Sequence, residues 1–240
     1  MSGNSPELIA RRPLLAGLGA LVLIAGCGRT EARAAAPGPE DLSVQDWATQ
    51  PDGPLPATDA LGRPYVVRRS GVTGGPWIVG GALTAQTPAD RGATYVNLDL
   101  GTRVERLGAR FVFGPGNTDG SLCLAAWAGG VLPPGEGIRS ATPVHLVVTP
   151  DRWLHGVVDD GALVVLASGG FDPVLPRDGT PLEVDVTLDG PAVTFVLPDG
   201  SEHTVSDPRS NSIAGTTACW EFYQDRAGGS GVRFHQTWCR

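Results

Sequence analysis

Lysine is absent from this chain of 240 residues: all 18 basic side chains are arginine, set against 25 acidic ones. The net charge of -7 works against nucleic acid or an anionic membrane surface as a partner, because both are held by positive potential. No CxxC or HxxxH spacing occurs, which removes the common zinc motifs, and no metal ligand set or cofactor is expected. There is no EF-hand-type loop either; Asp159-Asp160 and Asp99 are the acidic residues open to an irregular calcium site. A Gly-x-Ser-x-Gly elbow is missing, and the four histidines (His145, His155, His203, His235) have no recognisable catalytic partners, so they read as structural. The pairs Gly74-Gly75 and Gly169-Gly170 lead into no helical pattern, which excludes a phosphate cradle. After the N-terminal segment, no window is long and apolar enough to cross a membrane as a helix.

What is present begins with Arg11-Arg12, followed by the apolar run Pro13 to Cys27 (PLLAGLGALVLIAGC). A basic start and a short apolar middle read as a secretory signal over residues 1–26. Ile24-Ala25-Gly26-Cys27 resembles the lipobox of bacterial lipoproteins. That resemblance implies cleavage before Cys27, its lipidation (palmitate included), and a protein anchored on the extracytoplasmic face of the cell membrane. Arg11-Arg12-Pro13-Leu14-Leu15 also resembles the twin-arginine export signature, with general secretory export as the alternative. Abundant Gly, Pro and Ala beside arginine-only basicity resemble the codon bias of a GC-rich, actinobacterial-type genome. Residues 27–56 are rich in Ala, Pro and Gly and read as the lipidated cysteine plus a tether, interrupted by Trp47, which is expected to dock on the domain.

Residues 57–240 change period. Tyr95–Leu100, Ala109–Phe113, Val144–Val148, Leu163–Ala167, Leu182–Leu188 and Val193–Leu197 alternate apolar and polar residues, as half-buried strands do. Asp189-Gly190 between two such runs is a hairpin signal, and Asp160-Gly161 and Asp199-Gly200 are further turn signals. The expected fold is all-β, an antiparallel β-sandwich.

Near the C-terminus, Thr217–Gln224 and Val232–Cys239 are two alternating runs. Paired as a hairpin, one register sets Cys219 opposite Cys239, Trp220 opposite Trp238, Tyr223 opposite His235 and Asp225 opposite Arg233. This register favours a Cys219–Cys239 disulfide worth roughly 3 kcal/mol at most, with Cys123 left as a free, buried thiol. It puts Trp220, Phe222, Val232, Phe234 and Trp238 in the core. Glu221, Tyr223, Asp225, His235 and Thr237 fall on the other face, where Glu221, Tyr223 and His235 are candidate binding residues for a polar ligand such as a sugar; a plain outer face with satisfied hydrogen bonds is the alternative.

Glu183-Val184-Asp185 resembles the Glu-x-Asp strand, followed shortly by a second Glu, of concanavalin-like glycoside hydrolases. The resemblance implies a nucleophile at Glu183, but Thr187 and Leu188 stand where the acid/base glutamate belongs. The strand run, above all Val144 to Leu197, resembles concanavalin-like and laminin-G-like jelly rolls. It implies a non-catalytic module, expected to bind cell-envelope carbohydrate, with a polysaccharide hydrolase (Glu183, Asp185) and a protein-interaction domain as alternatives.

Overall fold

The computed structural model describes residues 43–71, 74–85, 92–115, 120–127, 144–159, 162–211, 215–224 and 231–240. The expectations for the signal segment, Cys27, the start of the tether, Asp160-Gly161 and Asp225 lie outside them. Within the described residues the chain is an antiparallel sandwich of two sheets, as its alternation predicts.

The larger sheet has nine strands. In spatial order these are β14 (Glu202–Ser206), β13 (Ala192–Val196), β12 (Leu182–Asp189), β7 (Arg106–Phe113), β16 (Val232–Cys239), β5 (Leu83–Ala85), β4 (Pro76–Ile78) and β2 (Gly53–Pro54), with β1 (Ser43–Asp46) also pairing β16. The other sheet has seven: β11 (Ala162–Gly170), β10 (Arg152–Asp159), β9 (Val144–Val148), β8 (Ser121–Trp127), β15 (Thr217–Gln224), β6 (Gly92–Asp99) and β3 (Tyr65–Gly71). A one-turn helix, α1 (Pro208–Asn211), follows β14. Between the sheets lies one apolar core, supplied by alternate residues of both: Leu107, Ala109, Phe111 and Phe113 from β7, Leu182, Val184, Val186 and Leu188 from β12, and Trp220 and Phe222 from β15.

The Asp189-Gly190 signal is realised as a tight turn joining β12 to β13, with Asp189 opposite Ala192 and Gly190 at φ 56, which a residue without a Cβ adopts at little cost. Asp199-Gly200 likewise turns β13 into β14.

Three expectations need correction. First, residues 43–56 are not tether. β1 pairs along β16 from Ser43↔Cys239 to Asp46↔Gln236, and Trp47 is 1% exposed within the core, 6.2 Å from the Tyr65 ring. The Pro and Gly content that suggested a linker serves short edge strands instead. Trp47 itself docks as expected.

Second, β15 and β16 are not a hairpin. β15 lies between β8 and β6, while β16 lies in the opposite sheet between β7 and β5. The cross-strand pairs and the Cys219–Cys239 disulfide therefore do not form. None of the three described cysteines is in a disulfide and all are buried, Cys239 in the core and Cys219 on the outer face of the seven-stranded sheet. The expectation of a free, buried Cys123 holds.

Third, a bulge changes the faces of β16. Phe234 pairs with Phe111 and Gln236 with Arg110, so His235 is the extra residue and the alternation inverts after it. Val232 and Phe234 stay in the core, but Trp238 turns outward and Thr237 inward. The indole of Trp238 lies over Gly108 of β7, where any Cβ would overlap its ring atoms. Its Nε1 donates to Asp185 Oδ2 at 2.7 Å. From the inner side, Trp220 Nε1 of the other sheet donates to the Gly108 carbonyl at 3.0 Å.

Replacing Gly108 with Ala is expected to cost about 3 kcal/mol or more, because the ring has a buried partner to lose as well as a clash to escape. A urea unfolding curve measures it; an unchanged midpoint would show that Trp238 does not hold this position.

Candidate functional site

The two carboxylates of the hydrolase-like strand come first, because the sequence singles them out. Both stand on the outer face of the nine-stranded sheet, and both are held by arginine. Glu183 is opposite Arg110, whose Nε donates to Oε1 at 2.8 Å with a second guanidinium bond to the same oxygen. Asp185 is buried, and Arg106 Nε donates to its two oxygens at 3.2 and 3.0 Å beside the Trp238 bond. A carboxylate committed to a guanidinium and an indole is well suited to joining strands and poorly suited to attacking a substrate.

The candidate binding trio is divided. His235 occupies the bulge of β16, in the other sheet from Glu221 and Tyr223. Glu221 and Tyr223 do share a face, the outer face of the seven-stranded sheet, and the register gives them neighbours that sequence reading missed. Across the sheet, Arg68, Tyr95, Glu221, Cys123 and Val147 form one row, from β3 through β6, β15 and β8 to β9. The adjoining row contains Ser70, Ala93, Tyr223 and Ser121. On the other side Trp127 Nε1 donates to Asn97 Oδ1 at 2.9 Å, and Asn97 Nδ2 donates to the Val66 carbonyl at 2.9 Å. That anchored pair fixes one end of the patch.

Glu221 is the chemical centre. It is 6% exposed, and its described neighbours are a phenol and thiols rather than a cation. Burial pushes its pKa from 4.5 up to about 7, with hydrogen bonds from Cys123 and Tyr95 opposing the rise in part. Its charge in turn raises Tyr95 and Cys219, both already raised by burial. The floor of the patch is thus a carboxyl that gains or loses a proton near neutrality, and half-buried Arg68, Ser70 and Tyr223 form its rim. Such a patch can exchange hydrogen bonds with hydroxyl groups and present a phenol ring to a sugar face. Hydrolysis of a glycoside needs a second carboxyl within about 5–9.5 Å. Asp99, on the same face of β6, is four residues from Tyr95 along the strand, about 13 Å away.

No group of three His, Cys, Asp or Glu side chains among the described residues is placed to hold a metal ion. Asp99 Oδ1 instead accepts the Gly101 N–H at 3.0 Å. Exposed aliphatic side chains are scattered; Leu163 and Val165, 44% and 51% exposed, are the pair that share a strand, β11.

No protein-family profile matches this chain, and no curated protein matches it by sequence. Solved structures do match it in shape. The metal-free Emp46p carbohydrate recognition domain aligns with a TM-score of 0.53 at 12% identity, over 73% of this chain and 87% of that one. The exoplasmic/lumenal domain of VIP36, in a Ca2+/Man2-bound form, aligns at 0.51 and 14%, over 78% and 85%. A structure from work on endo-acting O-glycanases, which members of the human gut microbiota express to initiate mucin breakdown, aligns at 0.53 and 9%, over 83% and 98%. At these identities the likeness shows the fold alone, the concanavalin-like jelly roll that the strand pattern resembles.

The raised pKa of Glu221 has a consequence for stability. Between pH 4.5 and about 7 the folded chain keeps a proton that the unfolded chain has released, so stability falls as pH rises through that window and levels off above it. Relative to Glu221→Gln, the wild-type chain is expected to lose up to about 3 kcal/mol from pH 4.5 to 7.5. Parallel denaturation curves across that range test this; equal slopes for both proteins would mean that Glu221 ionises normally.

Proposed function

We propose that this protein is a carbohydrate-binding module whose ligand lies on the outer face of the seven-stranded sheet, over Tyr223, Glu221 and Tyr95. The observation that carries the reading is the row Arg68–Tyr95–Glu221 with Tyr223 beside it: a hydrogen-bonding floor next to an aromatic rim, on rigid central strands. The named neighbours add support, since a carbohydrate recognition domain and an exoplasmic/lumenal domain in a Ca2+/Man2-bound form share this sandwich. Binding is favoured over hydrolysis because Glu221 has no second described carboxyl within catalytic reach, while Glu183 and Asp185 are bonded to arginines.

Cell-envelope polysaccharide is the ligand class to try first. The full chain is expected to bind wall polysaccharides in a pull-down without releasing reducing ends, and Tyr223→Ala is expected to weaken that binding at least tenfold. Release of reducing ends would replace the module with a hydrolase. Binding unaffected by Tyr223→Ala would move the ligand off this face.

The same proposal includes the address. The Arg11-Arg12 start, the apolar run and Ala25-Gly26-Cys27 support a lipid anchor on the extracytoplasmic face of the membrane. Cys27→Ser is expected to abolish metabolic labelling with palmitate and to shift the protein from the membrane to the soluble fraction. Retention in the membrane without label would remove the anchor from this account.

A further inference from the structure

We infer a second ligand site, for a neutral polyhydroxyl compound of monosaccharide size, in the cleft between β1 and the loop that follows β2. The cleft has a volume of about 390 Å³, within the range of small-molecule sites, about 300–1,000 Å³. It belongs to the nine-stranded sheet and stands apart from the Tyr223 face, so it does not depend on the function proposed above.

Its walls are fixed by hydrogen bonds. Asp59 is saturated: Oδ1 accepts the N–H groups of Leu61 and Arg63, while Oδ2 accepts Ser43 Oγ at 3.1 Å and Arg63 Nε at 2.8 Å. This ties the loop to the first residue of β1. Burial would raise the Asp59 pKa, but the bonds from Arg63 and Ser43 hold it below the usual carboxylate value, so it remains the charged partner of Arg63. On the other wall Asp46 Oδ1 caps the short turn Trp47–Thr49 through Ala48 N at 3.0 Å, and Thr49 Oγ1 donates to the Asp46 carbonyl at 2.7 Å.

What these bonds leave over is the recognition surface. Gln45 is only 8% exposed, yet its side chain makes a single bond among the described residues, from Nε2 to the Asp46 carbonyl at a long 3.4 Å. Its Oε1 has no protein donor there. That oxygen is not among the buried, unpartnered side-chain atoms of the described residues, so it is open to the cleft, where an incoming hydroxyl can donate to it. Asp46 Oδ2 is a second open acceptor, and the side chains of Gln50 and Thr58, also on the lining, supply both donors and an acceptor. Paired hydroxyls of a sugar, each able to donate and accept, fit this mixture. Val44, 38% exposed, and Pro56 offer an apolar contact for the C–H side of a ring. An anionic ligand is disfavoured by Asp46, since Asp59 and Arg63 cancel. A divalent cation is disfavoured because the described residues hold no cluster of three ligating side chains.

The test uses the full chain and four probes, glucose, mannose, galactose and N-acetylglucosamine, in saturation-transfer NMR at millimolar concentration. At least one is expected to bind and to shift the Gln45 side-chain amide signals. Gln45→Leu is expected to weaken that binding at least tenfold while leaving the melting temperature close to the wild-type value, since the amide it removes makes only one long bond, at 3.4 Å, and has its oxygen open to the cleft. A structural glutamine would lower the melting temperature instead, and that result overturns the inference. Asp46→Asn keeps the turn's cap and is a second variant expected to weaken binding. Absence of binding by all four probes, or binding unchanged in both variants, also overturns it. Loss of polysaccharide binding in Tyr223→Ala is a separate readout and bears only on the sheet face.

Discussion

The structure turns on the missing side chain of Gly108. Because β7 carries no Cβ there, the Trp238 indole can lie across the strand and reach Asp185 on β12, which Arg106 of β7 already holds. On the opposite side of the same residue, Trp220 donates to the Gly108 carbonyl from the other sheet. One glycine thus joins three adjacent strands of the larger sheet and links that sheet to its partner. A buried aspartate is tolerated at this junction only because a guanidinium and an indole N–H satisfy it together.

The contrast with Glu221 explains where chemistry can reside. Asp185 and Glu221 are both buried carboxyls on outer sheet faces, each on a strand central to its sheet. Asp185 has a cation in contact and serves as a strut. Glu221 has a phenol and a thiol as its partners, so burial goes unopposed by a bonded cation and its proton is held to near neutrality. A group in that condition is primed to respond to what is placed above it, and the half-buried Tyr223 and Ser70 lie beside it. The N-terminal cleft follows a different logic, with rigid walls and a glutamine amide whose oxygen is left open to the cleft.

Much of the fold was legible locally. The alternation of Leu182 to Leu188, Tyr95 to Leu100 and Thr217 to Gln224 marked real strands, and Asp189-Gly190 marked a real turn, since each depends on backbone preferences of a few neighbouring residues. The site was legible only in part. Glu221 and Tyr223 were readable as sharing a face because residues two apart on a strand always do. Tyr95, Arg68 and Ser70 were not, because they join that face only through the order β3, β6, β15, β8. The proposed C-terminal hairpin failed for a related reason. Its pairs were individually favourable, but each is worth less than about 1 kcal/mol, and burial of two apolar strand faces against opposite sheets outweighs them.

The sequence by itself determined the all-β class, the position of eight of the sixteen described strands, the sides of each regular strand, and the acidic, lysine-free surface. These follow from the two-residue period of extended chain and from composition, neither of which needs a distant partner. Only the tertiary structure decided that β16 pairs with β7, that the bulge at His235 turns Trp238 outward, and that Ser43 to Asp46 extend the sheet rather than the tether. Strand partners are chosen by long-range packing. A single inserted residue inverts every face beyond it, so the same alternation is compatible with several arrangements until the core is assembled.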